Sequence, residues 1–362
     1  MRRLLLLICL ALLTTGGATA RTWYVTSDGT GDAPTTQAGV DSATAGDTVL
    51  VACGTYYEHD INMKSGVILT GETGLPDCVV IDAGYSGRVV QCIDCDATTV
   101  IRGLSLFRGS TGFDATPGYG GGMLCVGPVG LPSITVSDCL FSDNNTEGGG
   151  AGIACLDAGV TITRCEFYVN SGGSWGGGLY CSGTTPVTIS ECFFTVNSVS
   201  GVGGGVACLA SFPTISNCIF LGNTAWNGGS GGSSGSDVYC MGGASPTIRN
   251  TIFWGGFAGE PISCDLESAA TLVCCDIYEG AEGDWTGCIA DQFGVNGNIS
   301  ADPLFCDPPM RYFKVQSCSP CLPGHHPDGY DCGGVIGIFG VGCDCQSASE
   351  PATWGAIKSM YR

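Results

Sequence analysis

The sequence predicts an all-β fold, a right-handed single-stranded parallel β-helix, on three observations. A unit of 26 or 27 residues repeats through the middle of the chain. Within each unit apolar and polar residues alternate with a period of two. The composition, 60 glycines in 362 residues with only 13% charged, suits a turn-dense β-protein and argues against a coiled coil.

The repeat is plainest in four Phe-x-x-Asn units: Phe141 to Asn144, Phe167 to Asn170, Phe194 to Asn197 and Phe220 to Asn223. The phenylalanines lie 26, 27 and 26 residues apart, and glycine runs at Gly148, Gly176 and Gly203 open the coils that follow. Cysteines fall into two columns. One holds Cys125, Cys155, Cys181, Cys208, Cys240 and Cys264; the other holds Cys139, Cys165, Cys192, Cys218 and Cys275. Val187 and Ile189 alternate with Thr188 and Ser190, and after a bend at Glu191 the alternation resumes with Cys192 and Phe194. These are strands, because β-branched residues and glycine disfavour helix. The spaced leucines of a leucine-rich repeat are missing, and a propeller blade needs roughly forty residues. About 27 residues suit one turn of a three-sided β-helix.

One coil cannot bury its own inward face. Stacking places equivalent residues about 4.8 Å apart and turns the Phe and Cys columns into a continuous core. The asparagines are expected at turns, in the left-handed region, hydrogen-bonded as a ladder. Stacked side chains point the same way, which is poor geometry for bridging. The columns are therefore expected to be mostly packed thiols, with disulfides near the ends.

The repeats weaken at both flanks. Val67–Thr70, Val79–Asp82 and Val100–Leu106 read as earlier strands, with Leu104 in the second cysteine column. Thr247–Phe253 keeps the pattern without the cysteine, and Leu272–Tyr278 reads as the last coil. The insertions Ser110–Tyr119 and Trp226–Ser236 should bulge from one side. The organisation expected is a signal peptide over 1–20, an N-terminal cap with first strands over 21–66, and the β-helix over 67–310. A Cys-rich C-terminal cap over 311–345 and a linker with a short tail over 346–362 complete it.

The signal reading rests on Arg2 and Arg3, the apolar run Leu4–Leu13 and the small-x-small end Ala18-Thr19-Ala20. That run is too short to span a bilayer. Export to the cell exterior or outer-membrane surface, or to the periplasm, is the expectation. Without those twenty residues the chain has 11 basic and 33 acidic residues, a balance of −22. Such a surface will not bind nucleic acid or anionic lipid by charge. It suits Ca²⁺, but no tight Asp/Asn loop of the calcium type is present, so no cofactor is expected and solubility accounts for the charge. The 23 cysteines left after the signal leave at least one thiol unpaired.

Two resemblances follow from these residues. Gly149-Gly150-Ala151-Gly152, Gly177-Gly178-Leu179-Tyr180 and Gly204-Gly205-Val206-Ala207, each in register with a Phe-x-x-Asn unit, resemble the repeats of chlamydial-type polymorphic outer membrane proteins over roughly residues 118 to 255. That resemblance implies a β-helix used in surface display and adhesion. Asp28-Gly-Thr-Gly-Asp32, Gln37-Ala-Gly-Val40, Gly46–Val51 and Gly54–Glu58 resemble the start of pectinesterases and other pectin-lyase-fold proteins. This implies a capping helix around Thr36–Ala43 followed by the first strands. The catalytic motifs of pectinesterases, polygalacturonases and pectate lyases have no counterpart here.

Candidate chemistry is sparse. Arg102, Arg164 and Arg249 read as nearly equivalent positions before the second cysteine column, a stripe that either faces an acidic sugar or guards a strand surface against aggregation. Asp138 and Glu191 read as similar bends two coils apart, about 10 Å by stacking, the order of an inverting glycosidase pair. The block Cys318, Cys321, His325, His326, Cys332, Cys343 and Cys345 reads as a disulfide-stapled cap closing the helix end rather than a zinc site, given its irregular spacing. After a linker, Trp354, Ile357 and Tyr361 with Lys358 form an aromatic, basic end on an acidic protein and read as a sorting or docking tail. Deleting Thr353–Arg362 should leave folding intact and change where the protein accumulates. The function expected is a non-catalytic exported surface or adhesion module for a polysaccharide or cell-surface glycan. The secretion or outer-membrane machinery is the partner expected of the tail. The competing class is a polysaccharide lyase or glycoside hydrolase.

Overall fold

The computed structural model describes residues 19–112, 118–127, 133–226, 234–256, 258–308 and 312–345. Most of the signal segment, the tips of both insertions and the tail residues Trp354, Ile357, Lys358 and Tyr361 lie outside the described residues. The coil from Val160 shows the plan. Val160–Thr163 lies in the first sheet, Glu166–Tyr168 in the second, Ser171–Gly172 in a short fourth and Leu179–Ser182 in the third, and Val187–Ser190 restarts the first. Stacking gives parallel sheets of ten, nine, eight and five strands. The protein is an all-β right-handed parallel β-helix.

Register puts like on like. Phe141, Phe167, Phe194 and Phe220 are successive partners, with ring centroids 5.1, 4.5 and 4.7 Å apart and nearly parallel planes. Phe253 continues the pile at 4.8 Å. The first cysteine column runs in register from Cys92, one coil before the repeat is legible, to Cys264. These residues form one continuous apolar core.

Asn144, Asn170, Asn197 and Asn223 are buried, and they build a ladder. The side-chain oxygen of Asn170 accepts from the backbone N–H and the amide of Asn144, at 3.2 and 3.0 Å, and the pattern repeats along the stack. The expectation of left-handed asparagines is corrected. The left-handed residue is the one before each, Asp143, Val169, Val196 or Gly222, which turns the chain so that the amide points inward.

The two thiol columns differ. Thiols of the second column approach backbone carbonyls: Cys192 Sγ lies 3.2 Å from Ser190 O and 3.7 Å from Ile162 O. Thiols face one another in both columns, as Cys181 faces Cys155 and Cys192 faces Cys165, so the carbonyl contacts are what set the second column apart. Thirteen cysteines remain free and buried among the described residues, and the five disulfides sit towards the two ends. Cys264, in register with Cys240 at the end of its column, bridges Cys288. One expectation, that stacked cysteines do not bridge, changes. Cys53 and Cys78, stacked immediately before the paired Gly54 and Val79, do bridge, with Cα atoms 4.8 Å apart, because they lie at a corner rather than in a strand.

The helix Thr36–Ser42 closes the N-terminal end, capped by Thr35 Oγ1 on Ala38 N–H, with the Glu58 carboxylate on the N–H groups of Thr36 and Gln37. At the other end the 3-10 helix Gly287–Gln292 buries Ile289 against the last coil. The Cys-rich segment therefore does not close the helix end, as the sequence reading expects. It lies along the flank of the second sheet, where Phe313 packs on Phe193 at 4.8 Å and Phe305 on Trp254 at 5.2 Å. The reason lies in the outward residues. Phe193, Ile219, Leu221, Ile252 and Trp254 make that face apolar, so it needs a cover. Cys274–Cys332 fastens the cover, and Cys318, Cys332, Cys343 and Cys345 are all in disulfides. His326 meets Gly297 O at 3.0 Å.

Candidate functional site

The corner between the first and second sheets is a column of single residues. In chain order it holds Gly103, Asp138, Arg164, Glu191, Asn217, Asn250 and Cys274, all with positive φ. Each follows a first-sheet strand and precedes a second-sheet one, so a left-handed residue is needed to turn the chain in one step. The C-terminal segment covers the far part of the column, where Asn217 donates to the carbonyls of Val335 and Gly337. Asp138, Arg164 and Glu191 remain outside that cover.

Beside them lies a groove of about 420 Å³, lined by Leu50, Thr70, Gly71, Glu72, Thr73, Gly74, Arg102 and Asp138. Its floor is the first sheet, where Leu50, Thr70 and Arg102 are register partners. Its wall is the segment Gly71–Gly74, held by Glu72, which accepts from Cys53 N–H at 3.0 Å and Tyr24 O–H at 3.4 Å. Gly103 is required here: at φ 64°, a Cβ would meet the Gly74 backbone at 2.5 Å.

Arg164 grips Asp138 with two hydrogen bonds, Nε to Oδ1 at 2.7 Å and Nη2 to Oδ2 at 3.0 Å. That grip holds the Asp138 carboxyl below the usual carboxylate range and raises the Arg164 guanidinium. Arg102 is exposed, and its Nε reaches Thr70 Oγ1 at 3.4 Å.

The sequence-predicted residues converge here, with two corrections. Arg102 and Arg249 are not equivalent to Arg164. They end first-sheet strands in line with Ser137, Thr163, Ser190 and Ser216, whereas Arg164 stands one residue further, in the turn. Asp138 and Glu191 do share the corner column, but Arg164 stands between them and neutralises Asp138, so they do not flank an open substrate gap. Glu72 was missed; only coil counting that sets Thr70 beside Arg102 brings it to the site. Among the described residues the one cluster with three ligand-type atoms close together is Cys53, Glu72 and Cys78, and the disulfide uses both sulfurs.

The sequence matches the family described as right handed beta helix region over residues 65–250. The chain belongs to this family. The fold of this β-helix protein is shared with the crystal structure of the pectate lyase Pel9A, at 14% identity and a TM-score of 0.52, over 73% of this chain and 70% of that one. The pectin methylesterase from Aspergillus niger in deglycosylated form is also similar, at 16% identity and a TM-score of 0.45, covering 78% and 93% of the two chains. No curated protein matches the sequence.

Proposed function

We propose that this β-helix is an exported, non-catalytic surface module that binds a polysaccharide at the corner groove. One observation carries the reading: Arg164 and Asp138 neutralise each other in a two-point pair. A carboxylate held below its ordinary range and a guanidinium held above its own are poor proton carriers near neutral pH. They make a fixed polar rim. Arg102 supplies donors, and Glu72 and Asp138 supply acceptors, across a groove open to solvent. That mixture matches the hydroxyls of a neutral sugar chain. A polyuronate would meet an exported chain with 11 basic and 33 acidic residues, a balance of −22. The enzyme reading, a lyase or hydrolase of the same fold, draws its support from Arg102, whose described partner is the neutral Thr70 hydroxyl.

The test is a panel of neutral and acidic polysaccharides scored for both retention and cleavage. The proposal expects retention on a neutral polymer, loss of retention with Arg102→Ala, and no new chain ends. Release of unsaturated or reducing-end products from any polymer overturns it in favour of the enzyme.

A further inference from the structure

The outer face of the third sheet presents a row the groove does not use. Register aligns Ile93, Val126, Leu156, Ser182, Leu209 and Met241, one residue per coil, pointing away from the core. Ile93 is 46% exposed, and the other four apolar members are half-buried over a layer of Leu124, Ala154, Tyr180 and Ala207. Exposed Phe212 and Leu266 lie at the neighbouring corner. Six rungs at about 4.8 Å make an apolar stripe roughly 24 Å long.

Its rim is acidic. Past the row's end, Asp265 follows Cys264, the register partner of Cys240, and the adjoining turns carry Asp94, Asp96, Asp157 and Glu267. The third-sheet strands carry no lysine or arginine. At the near end, Lys64 is engaged with the carbonyls of Asp41 and Ala43. The stripe thus asks for a segment that is apolar on one side and basic beside it. The sequence holds one: Trp354, Ile357, Met360 and Tyr361 interleaved with Lys358 and Arg362. Seven residues, 346–352, tether this segment to Cys345 with a reach of up to roughly 23 Å when extended, and the ten residues 353–362 are long enough to lie along the stripe.

We propose that residues 353–362 dock in their own molecule on the Ile93–Met241 stripe, with Lys358 and Arg362 over the acidic rim. The apolar row supplies the contact area and the carboxylates fix the direction of the segment.

The test uses the full chain with p-benzoylphenylalanine in place of Tyr361. Irradiation should give intramolecular cross-links to the peptides that contain Leu156, Leu209 or Met241. Lys358→Glu with Arg362→Glu, which leaves the β-helix untouched, should lower the yield severalfold. Leu209→Asp should do the same in protein whose circular dichroism is unchanged. Cross-links to other faces, cross-linked dimers or a yield indifferent to both sets of substitutions overturn the proposal.

Discussion

Asn223 ends the asparagine ladder on an acid: its Nδ2 donates to Asp237 Oδ1 at 2.8 Å, with both residues buried. Burial pushes the Asp237 carboxyl up to about 7, against the hydrogen bonds from Asn223 and Ser236 that favour its charge. A carboxyl raised on folding binds its proton more tightly in the native state. Its contribution is therefore whole below pH 4 and is lost as pH rises through about 7. The melting temperature should fall between pH 5 and 8. Asp237→Asn keeps an amide oxygen for Asn223, removes the titration and should flatten that profile. The effect at pH 8 should be on the order of a few kcal/mol. Thermal unfolding of both proteins across that range is the measurement, and parallel profiles would refute the assignment.

The two thiol columns should respond differently to serine. Cys192 already lies against Ser190 O and Ile162 O, so a serine hydroxyl there inherits an acceptor. Cys181 faces thiols, and a hydroxyl in its place is buried with only weak partners, which costs about 1–3 kcal/mol. Cys181→Ser should therefore destabilise more than Cys192→Ser, with the alanine variants closer together. Chemical denaturation of the four proteins decides it; equal serine costs would mean the columns are chemically alike.

The architecture was legible because stacking writes itself into sequence as a period. Phe141 to Phe220 fix the coil length, and alternation fixes which side faces in. The period fails where one coil differs from the next. Cys92 begins a column that sequence reading starts at Cys125, because an insertion separates them. Arg164 and Arg102 look equivalent in sequence and differ by one residue in register, which moves one from strand end to turn. Glu72 and the flank cover owe their places to contacts between segments far apart in the chain, which no local spacing encodes.

The flank cover carries its own pH response. Asp276 is fully buried beneath it, accepts from Ala301 N–H at 3.0 Å and lies 3.3 Å from Cys321 Sγ. Burial lifts this carboxyl to about 8, with Asp284 and Asp302 adding repulsion. The native state again holds the proton, so stability is lost as pH climbs through about 8 and the cover loosens. Modification of Cys321 by a thiol reagent, followed by peptide mapping, should be severalfold faster in the natural protein than in Asp276→Asn at pH 9. At pH 6, part-way between the ordinary carboxyl range and about 8, the difference should be smaller. A rate ratio near one at both pH values would show that Asp276 does not govern the cover.

The corner groove separates binding from stability. The Arg164 side chain is 52% exposed, so its pair with Asp138 contributes little to folding, about 0–1 kcal/mol. Arg102 is exposed as well. Arg164→Ala and Arg102→Ala should leave the melting temperature within a degree or two, roughly the effect of such a small term. Their effect should fall on sugar retention. Arg102→Ala removes the groove's donor and should weaken it about tenfold or more, the scale of one charged hydrogen bond. Arg164→Ala frees the Asp138 carboxylate, so its effect should be smaller and should grow as salt is lowered. Gly103→Ala should be the costliest of the three for folding, since its Cβ would strike the Gly74 backbone at 2.5 Å and its φ is 64°. Retention and melting measured on the same three proteins distinguish a binding corner from a merely structural one: if retention tracks melting across the set, the groove is not where the sugar sits.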